Sequence, residues 1–214
     1  MPRRIRTSPR KSPRQERSKA TVDAIVLAMT RVLIKDGWDA ASTNRVAAEA
    51  GVSVGSLYQY FPSKEALVLA VMEKHAAAMT EKLQQRMMQL ATAPIREAAT
   101  ELVHLFIDAH QTNPKLHRVL IEQVPRVGAL SKLVELNRLY EHLLVAYMET
   151  HRDELEVKDL SVAACVIVHA VQALSHHAVV QRQDLLESGK LEKEIVRLVL
   201  GYIKPSLLVK SGRA

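Results

Sequence analysis

From Thr43 to Leu67 the chain reads TNRVAAEAGVSVGSLYQYFPSKEAL, and this stretch decides the fold. Ser42 or Thr43 is a good N-cap for a short helix over Asn44 to Ala50, and Gly51 breaks it. Ser53 then caps a second short helix, Val54 to about Tyr60. Val46 and Ala47 face inward from the first helix, Val52 plugs the corner, and Leu57 supports the second helix from beneath. Gly51 takes the sharp turn, where a side chain would clash or be forced to positive φ. The outward face of the second helix is small and polar at Gly55 and Ser56. A helix that enters a DNA major groove needs such a face, because bulky side chains hold its backbone away from the bases.

Groups suited to phosphate surround that face. Thr43 and Ser53 offer hydroxyls and helix N-terminal amides, and Tyr58 and Tyr60 offer hydroxyls near the end of the second helix. Lys64 opens the next helix, where its charge and the positive dipole end both favour an anion. Blander roles exist for several of these. The tyrosines serve equally as core aromatics, Arg45 as a solvated helix charge, and Val54 either packs or touches a thymine methyl.

Outward from the motif, the chain reads as all-α, with about nine helices. Val22, Ile25, Val26, Met29 and Leu33 fall on one helical face from about Gln15, and Gly37 ends that helix, with Trp38 packing back on it. After Pro62, Ser63 caps a long helix from Lys64 to about Leu90, with Glu65 in its first turn. Pro94 and Asn113-Pro114 open further helices, to about Gln111 and Glu122. Pro125 and Gly128 mark a break before a helix to about His151. Leu160 to about Leu186 reads as one long helix, and Gly189 separates it from a last one, Leu191 to about Ile203. The domain reading is a disordered arm over 1–14, a DNA-binding domain over 15–63, and a helical remainder over 64–214.

Composition narrows the function. The 214 residues are 48 % apolar and carry a formal charge of +7, from 30 basic and 23 acidic residues. Arg3, Arg4, Arg6, Arg10, Lys11 and Arg14 supply nearly all of that excess, so a basic arm precedes a near-neutral body and attracts polyanions. Cys165 is the one cysteine, which excludes an intrachain disulfide and fits a reducing cytoplasm. Leu160 to Val180 lacks any Asp, Glu, Lys or Arg and is long enough for a bilayer. It also carries Ser161, Cys165, His169, Gln172, Ser175, His176 and His177, a polar density that favours a buried subunit-interface helix and no membrane role.

The core GVSxGSLYxYFxSKExL within residues 43–67 resembles the tetracycline-repressor (TetR) family of transcription regulators. That resemblance covers roughly residues 15–70 by motif, and beyond them only length and helix count suit the family. It implies an all-helical dimer that binds double-stranded operator DNA and sits in the cytoplasm with the nucleoid. By position, Asn44, Arg45, Val54, Gly55 and Ser56 match base-reading sites, and Thr43, Ser53, Tyr58, Tyr60 and Lys64 match phosphate-contacting ones. The last two long helices, about 160–186 and 191–203, match the homodimer interface. The middle helices match the wall of a pocket for a small-molecule effector whose binding releases DNA.

Candidate pocket residues by position are Met72, Met79, Phe106, His110, His117, Tyr140 and His169, with ordinary core packing as the alternative for each. Nine histidines do not assemble a metal-site spacing: His104 and Asp108 lie four apart and His176 adjoins His177, short of three or four ligands. No cofactor or metal is expected, and Cys165 reads as inert in a run of small apolar residues. No phosphate-binding loop, dinucleotide fingerprint, zinc-protease motif or nucleophile elbow appears, so catalysis has no positive case. The expected function is a ligand-responsive repressor; an architectural, nucleoid-associated protein without an effector is the alternative.

Overall fold

The computed structural model describes residues 16–123 and 127–206. Ten α-helices and one 3-10 turn, Arg152–Glu154, make up the described residues, with no strand among them. The helices are α1 Glu16–Ala40, α2 Thr43–Ala50, α3 Val54–Tyr60, α4 Lys64–Gln89, α5 Ile95–Thr112, α6 Pro114–Gln123, α7 Leu130–Thr150, α8 Leu160–Gln181, α9 Gln183–Glu187 and α10 Lys190–Ile203. The basic arm over residues 1–14 and the break at Pro125 lie outside the described residues.

One helix more than expected arises near the C-terminus. The sequence reading carried a single helix to Leu186, but Arg182 leaves helical geometry (φ −137°, ψ 55°) and divides it into α8 and α9. No Gly or Pro announces that break. Arg182 instead makes a two-pronged pair with Asp184, both contacts at 2.9 Å, across the start of α9.

The chain divides into two compact units. The first holds the residues up to Ala77 together with Lys115–Ser131, and so runs past residue 63 to take in the first half of α4 and α6. Ile25, Met29 and Leu33 of α1 close its core with Val46 of α2, Leu57 of α3, Phe61, and Leu67 and Val68 of α4. Leu116 and Leu120 of α6 and Val127 complete it. Each such side chain contributes roughly 1.5–3 kcal/mol by leaving water. Trp38, Val52 and Tyr60 pack against this core while half-buried, as the sequence suggested for Trp38 and Val52.

The second unit comprises Ala78–Pro114 and the residues from Lys132 onward. The α8 helix buries Leu160, Ala163, Ala164, Ile167, Val168 and Val171 on one side, with Gln172 and Ser175 among them. Ser175 satisfies its buried hydroxyl by donating to the Val171 carbonyl at 2.7 Å. The opposite side of α8 exposes Val162, Val166 and Leu174, and α10 exposes Leu198.

Candidate nucleic-acid interface and effector cavity

The two short helices are built as their caps require. Ser42, rather than Thr43, caps α2 by accepting the Arg45 backbone N–H at 3.3 Å. Gly51 ends α2 in the left-handed region (φ 68°), and its N–H reaches the Ala47 and Ala48 carbonyls. An added Cβ at Gly51 meets nothing within 4 Å, so the turn demands glycine through backbone angle alone and not through a clash. Ser53 accepts the Ser56 N–H at 3.0 Å and also bonds the Ser56 hydroxyl at 2.8 Å.

Leu57, fully buried, anchors the inner face of α3. The outer face presents Val54, Gly55, Tyr58 and Gln59 to solvent, with Ser56 at its edge. Gln59 is absent from the sequence-derived set. It lies four residues after Gly55, so the helical period alone brings it to the same face. Asn44 and Arg45 are exposed on α2.

Several predicted contacts are already engaged within the chain. The Thr43 and Tyr58 hydroxyls lie 3.0 Å apart and tie the start of α2 to α3. Arg45 pairs with Asp36 at 2.7 Å. Arg45 is about half exposed in this pair but Asp36 is only 16 % exposed, so the guanidinium neutralises a carboxylate largely withdrawn from water. Tyr60 packs half-buried against the core, so of the two tyrosines Tyr58 keeps the more open hydroxyl. Lys64 donates to the Trp38 carbonyl at 2.6 Å, and its ammonium stands 4.0 Å from the Trp38 ring centre. Burial pushes the Lys64 pKa down, against the pull of Asp39 and Glu65. The sequence reading treated Lys64 purely as a phosphate ligand; the structure makes it first a brace between the end of α1 and the start of α4.

The second unit contains an apolar cavity of about 110 Å³ that opens to solvent. Its walls come from α4, α5, α7, α8 and α10, and include Met87, Val103, Leu144, Met148, Ile167 and Val199. Of the sequence-derived candidates, Phe106 and Tyr140 line it. The other candidates lie elsewhere. Met72 and His117 belong to the first unit, where the His117 ring stands edge-on to His75 at 4.4 Å. Met79 and His110 are buried in the second unit but not in the cavity wall; the His110 ring donates to the Phe106 carbonyl at 2.7 Å and faces His176. His169 is exposed on α8. Sequence position located the helices but not which face of each turns inward. The α8 and α10 helices, read from sequence as a dimer interface with His169 of α8 also a pocket candidate, both supply cavity wall.

Polar groups in that wall are few. Tyr147 donates its hydroxyl to the Leu90 carbonyl at 2.7 Å. Burial is the main cause raising the pKa of both Tyr140 and Tyr147, so both present neutral phenols. Gln172 is 9 % exposed and brings a side-chain amide to the wall. No charged side chain stands among the described wall residues.

Two family matches follow this division of labour. Residues 25–71 match "Bacterial regulatory proteins, tetR family", and residues 94–203 match "Tetracyclin repressor-like, C-terminal domain". The chain belongs to the TetR family. The first of these matches covers α2 and α3, the two short helices whose geometry is described above. It is 28 % identical over 156 residues to the uncharacterized HTH-type transcriptional regulator YerO of Bacillus subtilis, covering 69 % of this chain and 53 % of YerO. It is 30 % identical over 125 residues to the HTH-type transcriptional activator FasR of Mycolicibacterium smegmatis, covering 56 % of this chain and 54 % of FasR. The chain thus spans about half the length of these curated relatives. Among solved structures, the fatty acid degradation regulator FadR of Bacillus halodurans shares the fold with a TM-score of 0.68 at 21 % identity, covering 91 % of this chain and 98 % of FadR.

Proposed function

We propose that this TetR-family protein is a cytoplasmic, ligand-responsive repressor that binds a palindromic operator as a homodimer. The observation that carries the reading is α3 itself: Leu57 pins one face to the core, and the other offers Gly55 and Ser56 with nothing bulky between them and solvent. Asn44, Arg45, Val54, Gly55, Ser56 and Gln59 then read bases. Thr43, Ser53, Tyr58 and the remaining donors of Lys64 hold phosphates, with Tyr60 contributing through packing. The exposed apolar residues of α8 and α10 support pairing of two copies there, at the helices the sequence assigned to the dimer. Effector and operator are linked by population shift, the effector favouring a dimer whose reading helices no longer match successive major grooves, about 34–36 Å apart.

The test uses DNA fragments that co-purify with the protein, sequenced and reduced to a short palindromic duplex. Affinity is expected to fall linearly on a log–log salt plot, with roughly 0.9 of a unit of slope per phosphate neutralised. A flat salt response contradicts the reading. Sedimentation of the free protein is expected to give a dimer, and a monomer on its operator opposes the proposed arrangement.

The cavity sets the effector's chemistry. A wall without charge, with the Gln172 amide among its few polar groups, favours an uncharged, mostly apolar compound bearing a single polar group for Gln172. FadR is named for fatty acid degradation, which agrees with a chain-shaped apolar ligand. We expect 1-dodecanol to bind more tightly than dodecanoate, since the carboxylate finds no cation in the wall. Gln172→Leu is expected to weaken the alcohol about five- to tenfold, the worth of one hydrogen bond. Tighter binding of the carboxylate would overturn this effector class while leaving the DNA-binding reading intact.

A further inference from the structure

Cys165 and His169 stand four residues apart on α8, a spacing that stacks two side chains on one helical face. Both are exposed, although the sequence reading had Cys165 inert in an apolar run. Glu141 reaches them from α7. The Cys165 Sγ lies 3.8 Å from His169 Nδ1, and Nδ1 lies 3.5 Å from Glu141 Oε1. Ligand atoms of all three residues fall within 4.8 Å of one another, the one such group of His, Cys and carboxylate among the described residues.

We propose that Glu141, Cys165 and His169 form a binding site for a borderline-soft divalent cation, zinc in type. Tetrahedral coordination at bond lengths of about 2.0–2.3 Å separates neighbouring ligand atoms by roughly 3.3–3.6 Å. Two of the observed separations are already within a few tenths of an ångström of that range. Helical spacing sets the thiol beside the ring, and Glu141 of α7 adds a carboxylate to the same ring nitrogen from a second helix. Thiolate, imidazole and carboxylate together select zinc or cobalt(II), and oppose magnesium and calcium, which take oxygen ligands. Three protein ligands leave a fourth position for water.

Binding has a defined proton balance. Cys165 must lose its thiol proton to ligate. His169 Nδ1 now donates to the Cys165 carbonyl at 2.9 Å, so the ring's proton moves to Nε2 as Nδ1 turns to the metal. The site also ties together two walls of the cavity. Tyr140 and Val168 line it, and each is the chain neighbour of a ligand, Glu141 and His169 respectively.

The test titrates the full-length, reduced protein with cobalt(II) chloride. One equivalent per chain is expected to produce a near-ultraviolet thiolate-to-cobalt charge-transfer band with the visible bands of a tetrahedral ion. Zinc is expected to abolish both. Cys165→Ser removes the charge-transfer band. His169→Ala and Glu141→Gln each weaken cobalt binding at least tenfold, the lower end of what losing even an outer-shell partner costs. Unchanged helical circular dichroism confirms that each variant is folded. No band, or a band whose titration is the same in His169→Ala and Glu141→Gln as in the parent, overturns the site.

Discussion

Gly55→Glu is expected to leave the fold intact and to weaken operator binding at least about 100-fold, equivalent to roughly 2.7 kcal/mol. The two halves of this expectation have separate physical causes. A Cβ at Gly55 meets only the Ser53 hydroxyl, at 3.9 Å, which is ordinary contact. Replacing a helical glycine also removes an entropic cost of up to about 1 kcal/mol, and a carboxylate in the first turn of α3 suits the helix dipole. Thermal stability should therefore hold or rise slightly. On DNA the same side chain fills the space the bases must occupy and sets a negative charge beside phosphates. Losing one good base contact costs about 1–3 kcal/mol, and charge repulsion adds to that. Gly55→Ala separates the effects, because a methyl group brings the stability gain without the charge and should keep affinity within about tenfold. Circular dichroism melts and fluorescence-anisotropy titrations of the operator duplex read both quantities. Parent-like affinity for the Glu variant would remove α3 from the interface.

The second large effect concerns the support beneath that helix. Leu57 is fully buried among Val46, Phe61 and Leu67 in the first unit's core. Leu57→Ala loses the transfer energy of the removed carbons and leaves a void, a combined cost of about 2–5 kcal/mol. Set against a typical total of about 5–15 kcal/mol, that is a large share of the stability. For a chain of this size it lowers the melting temperature by roughly 5–15 °C. Leu57→Met conserves volume and should cost less than about 1.5 kcal/mol. An alanine variant as stable as the parent would mean that α3 is not held from this side.

The helix-turn-helix was legible because its signals are local. Ser53 and Gly51 act within four residues of themselves, through a cap and a left-handed turn, so their roles follow from chain order. The choice between Ser42 and Thr43 was not open to that reasoning, because it depends on Thr43 being drawn toward Tyr58, fifteen residues on. The bracing contact of Lys64 was hidden for the same reason, since its partner Trp38 is twenty-six residues earlier. In the second unit the reading weakened further. Periodicity marks a helix but does not say which of several apolar stripes faces a hollow, so the candidates included Phe106 and Tyr140, which line the cavity, and on α8 named His169 in place of Gln172. In the Glu141–Cys165–His169 group the four-residue spacing of Cys165 and His169 is legible in the sequence, but Glu141 comes from another helix and no linear spacing records it.

Methylation protection of the operator tests the central claim most directly. If the Gly55–Ser56 face of α3 lies against base edges, the bound protein should shield guanine N7, in the major groove, in two patches about one helical turn apart, with adenine N3 in the minor groove left reactive. Protection confined to adenine N3, or none at guanine N7, would contradict it.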